Sequence, residues 1–411
     1  MTKSCVRQKI SVFLLVNKPV TNYKNTDSLL PVYNRCDIVM QRGEGVYLFD
    51  DSGKQYLDFA SGIAVNSLGH CHPHLVETLQ KQVATLWHCS NLYQTEGLNR
   101  FAERLTAASF ADKVFMTNSG AEAVEAGIKI IRKYHSSKGT PRPDIITVSG
   151  AFHGRTFACI SAGMNKRAVE GFEPLLPGFT QVAFGDISAM QAAITPQTGG
   201  ILLEPIQGEG GICVQDKQYM QEVRKLADDN GLLLFLDEVQ SGIGRTGKFF
   251  AFEHFGITPD ICSIAKGIGS GFPMGACMAK DDAASGMGLG SHGGTYGGNP
   301  LASCVGNAVL DIILADGFLQ NVTKNAELLK GELQKLGDEF PQIIKEIRGI
   351  GLMLGIKTFV PAKEIMQKLQ ANGLLAVASS HDNVIRLLPP LIIDSGHIKD
   401  AINIIRKTIK A

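Results

Sequence analysis

The sequence predicts an α/β fold, with a large domain built on a mostly parallel sheet flanked by helices and a smaller α/β domain beside it. Two observations carry that expectation. From about residue 113 to 278, short apolar runs alternate with longer amphipathic stretches, and the runs are continuous, as in strands covered on both faces. After about Pro300 the texture changes to long helical stretches around two short strands.

Taken in order, the strand candidates of the large domain are 114–116, 145–148, 182–184, 201–203, 232–236, 261–264 and 275–278. One helix is plain: after Ser119-Gly120, apolar residues recur at Val124, Ile128, Ile131 and Tyr134, at helical spacing. Beyond Pro300, helices are expected over 302–314, 322–336, 362–371 and 397–409, with strands at 351–356 and 384–388. The chain then divides into a segment 1–60 that joins the small domain, a large domain 61–300 and a small domain 301–411.

A chain of 411 residues is too long for one simple core, and 44% hydrophobic with 19% charged residues are ordinary values for a globular enzyme. The formal charge of +1, with both signs mixed along the chain, gives no nucleic-acid footprint, so any bound anion needs a local site. The nine cysteines are scattered without a CxxC pair, which points to free thiols and a reducing cytoplasm. Lys3, Arg7 and Lys9 precede an apolar run at 11–16 that is too short for a secretory signal. No acid precedes Asp27, as in an organellar presequence, but a frayed or wrongly assigned start is preferred. No run approaches the roughly 18 apolar residues of a membrane span.

The chemistry starts at Asp237, which ends the apolar run 232–236 where open α/β sheets present ligands. Alone, such an acid often only caps a turn. Lys266 ends the next apolar run and precedes a glycine-rich stretch, Gly267 to Gly271. Poor solvation at an apolar strand end lowers a lysine's pKa and makes its amine nucleophilic, although a surface lysine bounding a strand has the same local sequence. Together, a carboxylate and a lysine at neighbouring strand ends are what pyridoxal phosphate requires: the amine makes the imine and the acid keeps the ring nitrogen protonated. Thr117-Asn118-Ser119-Gly120-Ala121 turns from a strand into a helix, where N–H groups can hold a phosphate or where Ser119 simply caps. Phe152 and Arg155 follow the strand ending at Val148; there they can stack on a ring and grip a carboxylate, or else pack in the core and form a salt bridge.

Two decoys overlap in Gly242-Ile243-Gly244-Arg245-Thr246-Gly247-Lys248-Phe249. The GxGxxG match lacks a following helix pattern, and the phosphate-loop match has Phe249 where a magnesium-binding hydroxyl belongs. His70-Cys71-His72 resembles a ligand cluster, yet no third partner or HExxH supports it, and structural histidines with no bound metal are expected.

In their order along the chain, these pieces resemble the class III (ornithine-type) aminotransferases, pyridoxal 5′-phosphate enzymes of fold type I. The resemblance runs from about Leu30 to the C-terminus. It rests on Asn118 to Ala123, Glu204-Pro205-Ile206-Gln207-Gly208-Glu209-Gly210-Gly211, Asp237-Glu238-Val239-Gln240 and Gly294-Thr295-Tyr296-Gly297-Gly298-Asn299-Pro300. It implies that Lys266 holds the cofactor and later moves the substrate proton, with Asp237 on the ring nitrogen. It implies Val239 and Phe152 on the two ring faces, Gln240 on the ring hydroxyl and Gly120 and Ala121 on the phosphate. Glu238 is counted with the same cofactor-binding run. Thr295 would reach the phosphate of a neighbouring subunit's cofactor, making a homodimer with shared sites.

For substrate, Arg155 resembles the arginine that grips the α-carboxylate. Arg386 resembles a second arginine that Glu209 can neutralise, so that a dicarboxylate and an acylated diamine share one site. The stretches Gly69 to Pro73, Leu86-Trp87-His88 with Ser90-Asn91, and Ser291-His292-Gly293 are similar to the acetylornithine branch of the family. That branch implies N2-acetylornithine and 2-oxoglutarate (or glutamate) as substrates. One departure is Gly294, where many members of the branch carry serine, which bears on acyl-chain preference. Succinyldiaminopimelate, ornithine and 4-aminobutyrate transamination stay open, as does a same-fold aminomutase.

Overall fold

The computed structural model describes residues 28–379 and 382–410; the features at 3–27 considered above lie outside that range. Strands β1 (Met40–Glu44), β2 (Tyr47–Asp50) and β3 (Gln55–Asp58) form an antiparallel meander. Along the chain follow β4 (Lys113–Thr117), β5 (Asp144–Val148), β6 (Phe179–Val182) and β7 (Thr198–Leu203), then a two-stranded ribbon of β8 (Ile206–Gln207) and β9 (Cys213–Val214). Next come β10 (Leu233–Asp237), β11 (Ile261–Ile264) and β12 (Gly275–Ala279).

β4 to β7 and β10 to β12 join one seven-stranded sheet in the order β4-β12-β11-β10-β7-β5-β6. Pairings from β11 through β6 are parallel, while β12 runs antiparallel to both neighbours. The central strands β7, β10 and β11 are buried along their whole length, which is why they read as unbroken apolar runs. The helix Gly120–Ser137 lies on this sheet through Val124, Ile128 and Ile131, as their spacing predicts. It comes very close: a Cβ on Gly127 would stand 2.3 Å from the Phe235 ring.

The strand expected at 182–184 instead ends at Val182, because parallel pairing with β5 begins at Phe179 and its polar Thr180 and Gln181 conceal it in the sequence. A third sheet contains β13 (Ile344–Ile350), β14 (Met353–Thr358), β16 (Val377–Ala378) and β17 (Val384–Leu387), in the order β13-β14-β17-β16. The strand expected from 351 starts at Met353, since Gly351 makes the hairpin turn with φ +61°. β13 was not expected at all. Between these strands, β15 (Leu374–Leu375) pairs in parallel with β3, so the two ends of the chain share a sheet. Helices Phe318–Glu339 and Ala362–Ala371 pack on the third sheet and Ser395–Lys410 packs on both of them, whereas Pro300–Ile313 packs on Pro73–Val83 and Glu96–Ala107. Among the described residues, no single helix is long and apolar enough to cross a membrane.

Candidate active site

Asp237 ends β10 beside Ser263 of β11, and both its oxygens are engaged. Oδ1 accepts from Ser263 Oγ at 3.0 Å and from the Val239 N–H at 3.1 Å, and Oδ2 accepts from His153 Nδ1 at 2.8 Å. Three donors fix the carboxylate plane at the buried end of a cavity of about 460 Å³. His153, which lies between Phe152 and Arg155 in the same loop, carries no sequence signal of its own for this contact. Burial alone would lower its pKa, but the hydrogen bond and charge of Asp237, with Glu204 beyond, leave it raised.

Lys266 is the second residue after β11, in left-handed backbone with φ +46°, and lines the same cavity. Ser67 Oγ donates to the Gly267 carbonyl at 2.7 Å and Ser270 Oγ accepts from the Leu68 N–H at 2.9 Å, so the 67–68 segment braces the turn. Burial of the amine lowers its pKa; the carboxylates of Glu209, Glu204 and Asp237 oppose that and Arg386 reinforces it. This is the depressed lysine expected from its place at a strand end.

The helix Gly120–Ser137 points its N-terminus at the cavity, and Ser119 caps it by accepting from the Glu122 N–H at 3.3 Å. A Cβ on Gly120 would meet Val239 Cγ1 at 2.8 Å, so the bare glycine lets the Asp237 strand end and the helix N-terminus close on each other. Phe152 lines the wall, its N–H donating to Glu204 Oε1 at 2.9 Å, and the exposed Arg155 guanidinium stands 5.3 Å from its ring centre. Gln240 is buried with its side-chain carbonyl lacking a partner among the described residues. Amine, engaged carboxylate, aromatic wall, helix N–H groups and unpartnered amide form the donor set that pyridoxal 5′-phosphate needs, so these residues fit that cofactor.

Arg386, 1% exposed on β17, binds Glu209 with both arms: Nη1 to Oε1 at 2.6 Å and Nη2 to Oε2 at 3.0 Å. Glu209 itself borders the cavity. Glu204 Oε2 accepts from the Gly208 N–H at 3.3 Å, tying the Glu209 loop to Phe152, and burial raises its pKa to about 7.

Other residues lie elsewhere. The Glu238 carboxylate turns away from the cavity to accept from Ser241 Oγ at 3.0 Å and the N–H groups of Ala251 and Phe252 at 2.8 and 2.7 Å. It pins the loop after Val239 and Gln240, and burial raises its pKa to about 7. Gly294 and Thr295 do not line the Lys266 cavity of this chain; Asn91 Nδ2 donates to the Gly294 carbonyl at 3.0 Å, and Thr295 lies beside His88 and Ser90. His70 pairs with Asp58 at 2.8 Å and His72 caps the helix Pro73–Val83, both structural tasks. In the decoy loop, Arg245 is an internal clasp, its guanidinium donating to the carbonyls of Leu352 and Pro389.

The model of the family described as aminotransferase class-III matches residues 31–409. The chain belongs to that family. Among class-III aminotransferases, an acetylornithine aminotransferase of Agrobacterium fabrum is 56% identical over 375 residues, spanning 91% of this chain and 94% of the relative. A crystal structure of N-acetylornithine aminotransferase from Stenotrophomonas maltophilia matches with a TM-score of 0.81 at 35% identity, over 92% of this chain and 97% of that one. A structure of ornithine aminotransferase from Toxoplasma gondii, described with partial occupancy of PLP at its active site, matches at 0.87 and 30% identity, over 91% and 90%.

Proposed function

We propose that this aminotransferase moves the terminal amino group of N2-acetylornithine to 2-oxoglutarate, giving N-acetylglutamate 5-semialdehyde and glutamate, a step of arginine biosynthesis. The observation that carries the reading is the Arg386–Glu209 pair at the cavity margin. 2-Oxoglutarate brings a second carboxylate and the acylated diamine does not, so a cation that a carboxylate can cover or release serves both at one site. The names of the Agrobacterium and Stenotrophomonas proteins support the acylated donor.

Pyridoxal 5′-phosphate supplies an electron sink for the pair released at the substrate carbon. Lys266 would hold it through Nζ; the lowered pKa suits that amine both as nucleophile and as the base that moves the substrate proton. Asp237, steadied by His153, holds the proton on the ring nitrogen. Phe152 and Val239 would take the ring faces, Gln240 the ring hydroxyl, and the N–H groups of Gly120 and Ala121 the phosphate. Arg155 grips the α-carboxylate. Glu238 acts at one remove, by anchoring the loop behind Val239 and Gln240.

The same reading has the protein working in the cytoplasm as a homodimer, with Thr295 and Gly294 serving the partner's site. Exposed Trp87, Leu92, Tyr93 and Tyr296 beside Thr295 support a subunit interface there. A division near residues 60 and 300 is supported by the separate sheets, with β3–β15 pairing joining the first segment to the last. The deciding assay supplies purified enzyme with N2-acetylornithine, succinyldiaminopimelate, ornithine or 4-aminobutyrate against 2-oxoglutarate. N2-Acetylornithine is expected to lead, and turnover of 4-aminobutyrate far above it would overturn the assignment.

A further inference from the structure

The loop that carries Glu209 is also held from another strand. Arg348 of β13 is registered opposite Gly355 of β14, and Gly355 opposite Arg386 of β17. Residues directly opposite in antiparallel strands point to one face, so the two arginines stand in a row with a bare glycine between them. Both reach the same short loop. Arg386 holds Glu209, and Arg348 Nε donates to the Gly211 carbonyl at 2.7 Å. Arg348 Nη2 also donates to Asp382 Oδ2 at 3.3 Å, an oxygen that Lys357 pairs with at 2.8 Å. Asp382 leads directly into β17. One guanidinium thus bridges the loop that carries Glu209 and the strand that carries Arg386.

The loop is shaped around that grip. Gly211 and Ile212 have φ of +102° and +58°, and their N–H groups return to the Gly208 carbonyl at 3.1 and 3.4 Å. A Cβ on Gly211 would stand 2.8 Å from Arg348 Nη2, so the guanidinium packs on a bare α-carbon. We propose that Arg348 is a positioning residue for substrate discrimination: it holds Glu209 closed over Arg386 and thereby sets how readily Arg386 is unmasked. The proposal rests on the reading of Glu209 and Arg386 as a switch between substrates. Without the brace, Arg386 is uncovered more of the time; a dicarboxylate gains, and an acylated donor, which needs the cation masked, loses.

The test compares Arg348→Met, Asp382→Asn and Glu209→Ala with the parent holoenzyme. Single-turnover absorbance gives kcat/KM separately for N2-acetylornithine and glutamate, and calorimetry gives the affinity for glutarate, a dicarboxylate with no amine. Loss of these charge-assisted hydrogen bonds in Arg348→Met is expected to lower the N2-acetylornithine-to-glutamate ratio by about tenfold. Glutarate binding should tighten in parallel, Asp382→Asn should move both readouts less, and Glu209→Ala should move them more. Equal losses in both half-reactions with unchanged glutarate affinity overturn the role of Arg348. If Arg348→Met does not fold, an unchanged ratio in Asp382→Asn overturns it instead. An unchanged ratio in Glu209→Ala sinks the switch itself, which separates that failure from failure of the brace.

Discussion

His153 donates through Nδ1 to Asp237 at 2.8 Å inside a fully buried pair, and the opposite ring nitrogen has no partner among the described residues. The imidazole therefore spends its one strong bond on orienting the carboxylate. A hydrogen bond to a charged group is worth roughly 1.5–3 kcal/mol, so His153→Phe should lower kcat by about ten- to a hundredfold. The check is kcat beside the pH dependence of the bound cofactor's absorbance, whose titration midpoint should move in the variant. An unmoved midpoint would mean that His153 only fills space.

Lys266→Ala should abolish transamination while leaving a folded protein, since the side chain lines the cavity rather than the core. Circular dichroism and turnover measured on the same sample test both halves of the statement. Full activity in that variant would remove the central residue of the site.

Glu238 makes a pH-dependent contribution to stability. Its folded pKa, about 7, lies above the ordinary 4.5, so the folded state keeps a proton that the unfolded chain gives up. The stabilisation is complete below pH 4.5 and is lost as pH rises through 7. Relative to Glu238→Gln, the parent should lose on the order of 3 kcal/mol across that window, read from denaturant midpoints at successive pH values. A flat difference would refute the burial effect.

Gly294 has open space around it in this chain: a Cβ there meets nothing within 4 Å. Gly294→Ser should therefore keep the melting temperature within about 2 °C, as for an unstrained surface change. If this residue faces the partner's site, the added hydroxyl should change the preference between N2-acetylornithine and succinyldiaminopimelate by several-fold, about one neutral hydrogen bond. Identical kcat/KM values for both donors in parent and variant would dissociate Gly294 from acyl recognition.

The strands that lead to Asp237 and Lys266 were legible because strands covered on both faces must be apolar throughout, which makes their ends easy to locate. β13 was not, because Ile344, Ile347 and Ile350 are separated by charged residues on a strand at the sheet edge. Asp237 and Glu238 read as one motif, but adjacent residues leave an extended chain in opposite directions, which sends the Glu238 carboxylate away from the cavity. His153 and Arg348 were passed over for a different reason. Their partners, Asp237 and the Gly211 carbonyl, are distant in sequence, and only the folded topology brings them together.

The pairing of β3 with β15 has a consequence for how the enzyme is made. Leu57 and Asp58 leave the ribosome long before Leu374 and Leu375, their partners in the sheet. Phe59 and Ser67 likewise wait for the N–H groups of Leu388 and Leu391. The opening meander thus stays an incomplete sheet until nearly all of the chain has emerged, and such long-range pairing is slow to form. Arg386 arrives in that same closing stretch, so a nascent chain that already holds Asp237 and Lys266 still lacks the arginine on which the proposed discrimination between substrates rests.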